Sequence, residues 1–318
     1  MQSRDKKLEK SYKFCRELTT SHYENFNVAS LLIPKNKRDN IYAVYAYCRI
    51  VDDIGDEPSL DFPFLNDLDR KPHWPGMSEH SRRLELLDYW ESQLTLCYTG
   101  TPTNPVMYAL QDTIRSFEIP ITPFIKLILA NRLDQDQNRY ETFEDLLNYC
   151  EHSANPVGRI FLYLFGYDDE LRQMYSDLTC TGLQLVNFLQ DIKTDFLKGR
   201  VYIPQEDLSY FGYSEDELSD NIENLNFQKL VAFESNRAHE YLNQGYKLID
   251  YLHGPARLDV ALFSRGGGAV LKAIEQMEYK VLSNRPKLCR YDRIRVVLAN
   301  LLKYLLRRDA NRYVKGSV

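Results

Sequence analysis

The sequence predicts an all-α fold, and three observations carry that prediction. Long stretches place apolar residues at steps of three and four, the spacing of one helix face. Only 14 glycines and 13 prolines punctuate the 318 residues. The alternating apolar–polar pattern of a half-buried strand is nearly absent.

Taken in order, the first strong stretch is 40–54, where Ile41, Val44, Tyr45, Cys48 and Val51 form a stripe. Further helical periods cover 84–98, 106–117, 123–132, 143–150, 157–165, 169–197, 224–251, 261–282 and 291–306. Breaks are expected at Pro58-Ser59, from Lys71 to Gly76, at Gly100-Thr101-Pro102, at Ile119-Pro120 and at Gly254-Pro255, where the backbone loses donors or gains freedom. With no repeat, low-complexity stretch or linker, the chain reads as one domain over 1–318 with ten or more helices.

Composition narrows the function. The chain is 44% hydrophobic and 27% charged, enough to bury a sizeable core and unlike a disordered chain. A net charge of −5 argues against general nucleic-acid binding. Cys15, Cys48, Cys97, Cys150, Cys180 and Cys289 are scattered without a CxxC pair. They read as reduced thiols of a cytoplasmic protein. The first 18 residues lack the apolar core of a signal peptide, and no apolar run is long enough to span a bilayer. The stretch 291–306 mixes Arg293 and Arg295 with Val297, Leu298, Leu301, Leu302 and Leu305. It is a candidate for peripheral contact with the anionic inner face of a membrane, against the plainer reading of a core helix with solvated arginines.

Chemistry concentrates in two acidic clusters. Asp52, Asp53 and Asp56 close the stretch 40–54, and Asn187, Asp191 and Asp195 form an i, i+4, i+8 stripe in 169–197. Side chains four apart on a helix stand about 5–6 Å from one another, and like charges there repel. Acids at a helix carboxyl end also oppose the helix dipole. Both arrangements call for a cation. Carboxylates that leave coordination positions open hold Mg2+ beside substrate phosphates, and the Asn187 amide offers oxygen without adding charge. A solvated acidic turn remains the bland alternative for the first cluster. It is weaker for the second, whose other faces are apolar and whose polar seam, flanked by Gln184 and Gln190, needs partners. Tyr45 and Arg49 precede the first cluster by helical spacing. Lys198, Arg200 and Tyr202 follow the second as a loop able to meet phosphate oxygens and assist a departing diphosphate.

The pattern Tyr45-x3-Arg49-x2-Asp52-Asp53-x2-Asp56, followed by Gln184-x2-Asn187-x3-Asp191-x3-Asp195 and Gly199-Arg200-x-Tyr202, resembles the squalene/phytoene synthase family over most of the chain. The segments His22 to Ser30, Ser153 to Gly158 and Leu262 to Gly267 resemble its hydroxysqualene synthase branch in bacterial hopanoid biosynthesis. The resemblance implies an isoprenoid-synthase fold with a central cavity, the two acidic helices on opposing walls. It further implies that Asp52, Asp56, Asn187 and Asp191 bind about two or three Mg2+ ions, with Asp53 and Asp195 close by. Arg49 and Arg265 would hold diphosphate, while Tyr45 and Tyr149 would face the reacting carbons, where aromatic faces suit a carbocation. Gln184, Gln190, Lys198, Arg200 and Tyr202 complete the substrate-binding set.

Two positions depart from related dehydrosqualene-type enzymes, which tend to carry cations at Glu24 and Gln190. That fits a substrate with one diphosphate, presqualene diphosphate, and leaves Glu24 and Asn25 to orient water for attack on a carbocation. The expected reaction is Mg2+-dependent ionisation to hydroxysqualene. The alternative is head-to-head condensation of two prenyl diphosphates. No dinucleotide-binding fingerprint is present, since Gly266-Gly267-Gly268 lies in a helical stretch, so NADPH is not expected. A terpene cyclase and a non-catalytic assembly factor of this fold are the remaining alternatives. The expected partners are the prenyl diphosphate and enzymes of the same pathway.

Overall fold

A computed structural model describes residues 6–21, 34–57 and 76–287. Among them there are thirteen α-helices, one short 3-10 turn and no strand. The candidate residues Glu24 and Asn25, the segment around His22 and the stretch 291–306 lie outside the described residues. None of the described helices is long and apolar enough to cross a membrane.

The chain folds as two compact units. The first comprises Met1–Gln137 and Pro156–Asp168. Its helices are α1 (Lys6–Ser21), α2 (Arg38–Asp56), α3 (Glu79–Thr99), α4 (Pro105–Phe117) and α5 (Thr122–Asp136), with most of α7 (Asn155–Leu164). α2 buries one face, including Ile41, Val44, Tyr47, Ile50, Val51 and Ile54, as the stripe read from the sequence requires. Tyr47, fully buried, stacks on Trp90 at 5.8 Å, meets Phe124 edge-on at 5.1 Å and donates to the Phe124 carbonyl at 2.9 Å. That hydroxyl bond removes the penalty of burying a phenol. A second polar contact inside the core joins Asn40 to the Tyr12 hydroxyl and Thr113 at 3.1 and 3.2 Å.

The second unit comprises Asn138–Asn155 and Asp169–Val318. Its helices are α6 (Phe143–Ser153), α8 (Glu170–Leu197), α9 (Gln205–Phe211), α10 (Glu215–Ser219), α11 (Leu225–Gly245), α12 (Leu248–Tyr251) and α13 (Gly254–Gln276). α8 and α11 pack closely. A Cβ on Gly182 would sit 2.9 Å from Leu242, so this small residue serves helix contact. Sequence reading leaves that choice open against room for a prenyl chain. Arg237 joins α11 to α9 through Asp207 at 2.7 Å, bonds Glu234 at 2.9 Å and lies 3.9 Å over the Phe143 ring. Burial pushes Glu234 up to about 8.

The largest boundary differences from the sequence reading are two, and three helices are additions to it. The predicted helix 224–251 is broken after Gly245, giving α11 and α12. The helix expected at 261–282 runs instead from Gly254 to Gln276, because Pro255 is compatible with a first helical turn. α1, α9 and α10 are additions to the sequence reading: α1 is dense in charge, and the other two are too short to show a period.

Candidate active site

In the first unit Asp52, Asp53 and Asp56 form the last turn of α2, with Arg49 about one turn and Tyr45 about two turns before them on the same helix. Arg49 pairs with Asp53 at 2.6 Å and with Glu57 at 3.3 Å; the sequence offers Asp52 as its partner. Asp53, bound to a guanidinium, is thereby the least available of the three acids for a metal. Asp52 is reached by solvent yet crowded by protein on its other sides. That crowding pushes its carboxyl up to about 7. The Asn131 amide, in long contact at 3.5 Å, opposes the rise; Asp56, four residues on, adds to it. Burial also raises the Tyr45 hydroxyl, which feels Arg49, Asp52 and Asp53.

Two supports of this end are missed by sequence reasoning. Arg83 on α3 donates to the Ile54 carbonyl at 2.6 Å and the Glu57 carbonyl at 2.7 Å. Helix-end carbonyls have no partner within the helix, and a cation there complements the dipole that the acids oppose. Asn131, on α5, is held beside Gly55, where a Cβ would lie 2.1 Å from the Asn131 side-chain oxygen. Gly55→Ala is therefore expected to force Asn131 off Asp52 and cost about 1–3 kcal/mol. Urea unfolding measures it, and a loss below about 0.5 kcal/mol would refute the close fit.

In the second unit Asn187, Asp191 and Asp195 lie on the last turns of α8, with Asn187 exposed and the two acids half-buried. The helix ends in a tight turn: Gly199 adopts φ +83° and the Arg200 amide donates to the Asp195 carbonyl at 2.9 Å. That left-handed position favours glycine, and it fixes the exit of Lys198 and Arg200 beside the stripe. Arg139 locks the same loop, donating to the Gly199 carbonyl at 2.7 Å while forking onto Glu215 at 2.6 Å through each of two nitrogens.

Tyr149 and Tyr202 lie 5.5 Å apart, a contact absent from the sequence reading, and two further aromatics join them. Tyr202 stacks on Phe188 at 4.1 Å, and Tyr140 lies 5.5 Å from Tyr149 and 5.8 Å from Tyr202. A small pocket lined by Phe188, Asp195, Arg200 and Tyr202 joins this cluster to the polar stripe. Phe188 is legible from sequence only as a core residue, being the neighbour of Asn187 on an apolar helix face. Gln190 donates to the Pro286 carbonyl at 2.8 Å. Arg265 lies 5.7 Å over the Tyr246 ring. Arg285 pairs with Asp191 on the stripe.

The donor set suits Mg2+. It is all oxygen, the donor type Mg2+ takes, although among the described residues no three His, Cys, Asp or Glu converge. Open sites of this kind leave coordination positions to waters and substrate phosphates. Crowding by protein is the main cause of the rise at Asp52 and the Asp56 charge adds to it; a dication beside the two carboxylates would offset both.

A helical isoprenoid-synthase fold carrying two oxygen-rich stripes defines a class of prenyl diphosphate enzymes. This chain belongs to the squalene/phytoene synthase family, whose profile matches residues 19–292. It is 31% identical over 288 residues to the phytoene synthase of Arthrospira platensis, covering 86% of this chain and 87% of that one. The 15-cis-phytoene synthase of Synechococcus elongatus is also 31% identical, over 87% of this chain and 88% of the relative. Among solved structures, the squalene synthase HpnC from Alicyclobacillus acidocaldarius superposes with a TM-score of 0.76 at 39% identity, over 86% of this chain and 95% of that one. A dehydrosqualene synthase in complex with ligand shares the fold, with a TM-score of 0.77 at 22% identity over 94% and 98% of the two chains.

Proposed function

We propose that the protein ionises presqualene diphosphate in a Mg2+-dependent reaction and directs water to the resulting cation, giving hydroxysqualene and diphosphate. The 39% identity to the squalene synthase HpnC across 86% of the chain, above the 31% shared with phytoene synthases, supports the C30 substrate class; the water step rests on the assignment of Glu24 and Asn25. Gln190 adds support: a neutral amide committed to the Pro286 carbonyl stands where dehydrosqualene-type relatives tend to carry a cation, consistent with a substrate bearing one diphosphate.

In this reading Asp52 and Asp56 on α2, with Asn187, Asp191 and Asp195 on α8, hold the metal ions. When bound, Mg2+ neutralises the diphosphate and makes it a better leaving group. The carbon–oxygen bond breaks with its electron pair departing on the diphosphate, whose added charge Lys198 and Arg200 balance. Tyr149, Tyr202, Phe188 and Tyr140 offer ring faces to the carbocation. Water then forms the new carbon–oxygen bond and loses a proton, with Glu24 and Asn25 assigned to orient it. Arg49, anchored on Asp53, and Arg265 are assigned to the diphosphate, with Gln184 beside the stripe and Tyr45 facing the reacting carbons. The stretch 291–306 is assigned to peripheral membrane contact.

Head-to-head condensation of two prenyl diphosphates is the second reading, favoured by the phytoene synthases among the relatives. One experiment separates them. The protein is incubated with Mg2+ and, separately, presqualene, farnesyl or geranylgeranyl diphosphate, and extracted products are identified by mass spectrometry. Hydroxysqualene from presqualene diphosphate alone supports the first reading. A C30 or C40 hydrocarbon, or presqualene diphosphate made from farnesyl diphosphate, overturns it. Asp52→Asn is expected to lower turnover about a hundredfold or more in either case, and near-normal turnover would remove Asp52 from the metal set. Glu24→Ala should shift products from alcohol toward hydrocarbon; unchanged ratios would rule out its role with water.

A further inference from the structure

The second acidic stripe already holds a cation supplied by the chain. The Arg285 guanidinium forks onto Asp191, Nε to Oδ1 at 2.5 Å and Nη2 to Oδ2 at 2.8 Å, so both carboxylate oxygens face one planar cation. The neighbouring pair is tied as well, since Gln190 donates to the Pro286 carbonyl at 2.8 Å. Consecutive residues of α8 thus grip consecutive residues of the segment that follows α13. Upstream, that segment is anchored independently. Val281 and Leu282 are buried, the Leu282 amide donates to Glu223 at 2.7 Å, and Ser283 bonds the same carboxylate. The Arg285 side chain, by contrast, is 47% exposed, so it can leave Asp191 for water at little cost while the anchor stays.

A divalent ion and a guanidinium compete for the same Asp191 oxygens. Both are cations, and a fork that takes one lone pair of each oxygen halves the sites open to a metal and places a positive charge beside them that repels it. We propose that Arg285 is an internal counter-ion of the metal site, a latch that neutralises Asp191 while the metal is absent and must be displaced for the metal to bind. This inference rests on the assignment of Asp191 as a metal ligand. The latch resolves the like-charge repulsion of Asp191 with Asp195, four residues on, without metal. It also lowers the affinity of the stripe for a free ion, which disfavours filling the site before the substrate's own phosphates arrive. A further consequence is that metal binding frees the Arg285 side chain while Gln190 keeps the Pro286 carbonyl and Glu223 keeps Leu282 and Ser283.

The test uses the full chain and Mn2+ as probe, with binding followed by electron paramagnetic resonance in the absence of substrate. Arg285→Gln is expected to tighten Mn2+ binding about fivefold, the fold-change that corresponds to losing a half-exposed forked pair. Lys193→Gln removes an exposed charge two residues from Asp191 and serves as the control for through-space charge, with little expected effect. Asp191→Asn is expected to lose bound Mn2+. If Arg285→Gln binds no tighter than Lys193→Gln while Asp191→Asn loses metal, the latch is overturned and the ligand assignment stands. If Asp191→Asn binds Mn2+ as the unmodified protein does, both fall. Circular dichroism melts of each variant confirm that a changed affinity belongs to folded protein.

Discussion

Arg83→Ala is expected to destabilise the protein by about 3–5 kcal/mol, because it removes a buried cation that satisfies two buried or half-buried carbonyls at once. Arg83 is 7% exposed. Its two terminal nitrogens reach the carbonyls of Ile54 and Glu57, and its Nε and Nη2 face Glu79 at 3.2 and 2.5 Å. The exposed end of the Glu79 pair contributes little by itself, so the two backbone bonds dominate. Their location makes the effect larger than a generic buried bond. They sit at the carboxyl end of α2, where Asp52, Asp53, Asp56 and Glu57 oppose the helix dipole. Without Arg83 this turn keeps its acids and loses the cation that caps its carbonyls, with Arg49 still held on the Asp53 and Glu57 side chains, and it is expected to fray before the rest of the helix. Arg83→Lys should recover less than half of the loss, since one ammonium cannot span carbonyls that the guanidinium fork reaches separately. Urea unfolding of both variants provides the measurement. A loss below about 1 kcal/mol for the alanine variant would mean that water replaces Arg83 at those carbonyls.

That cation also marks the boundary of what the sequence could disclose. The four-residue spacings of Asp52 with Asp56 and of Asn187, Asp191 and Asp195 follow from helix geometry alone, so the polar stripes were legible, as was the all-helical class. The partners of those stripes were not. Arg83, Asn131, Arg139 and Arg285 reach their targets from 26 to 94 residues away, and no local period encodes a long-range contact. Gly55 and Gly182 were ambiguous for the same reason. A helical glycine shows that something approaches closely, and only the fold says that it is Asn131 in one case and Leu242 in the other. Phe188 and Tyr140 were hidden by abundance, because a chain with 23 tyrosines and 15 phenylalanines gives no single ring priority until stacking is seen. The motifs name Arg265 for diphosphate and are silent on Arg285, whose fork on Asp191 only the fold discloses.

The second large effect concerns a residue outside the reaction. Asp259 on α13 is 1% exposed, sits between Leu258 and Val260, both buried, and neither of its carboxylate oxygens has a hydrogen-bond partner among the described residues. Burial pushes its carboxyl up to about 7, against about 3.9 in an unfolded chain. The sign follows from linkage. Below the unfolded value both states are protonated and the buried acid costs only its neutral form. As pH rises from there, the unfolded chain releases the proton more readily, and stability falls until the folded group also ionises near pH 7. Above that the loss stays at its full value, about 4 kcal/mol for a displacement of about three pH units. Asp259→Asn keeps the shape and a polar head but cannot ionise, so any constant cost of burying the amide cancels from the pH dependence. The stability advantage of Asp259→Asn is expected to grow by about 2–3 kcal/mol between about pH 5 and pH 8, measured as the difference in urea unfolding free energy at each pH. A pH-independent difference would mean that Asp259 finds a charged partner or water when it ionises. An advantage that shrank as pH rose would mean that its carboxylate is stabilised in the folded protein, the reverse of what its apolar surroundings require.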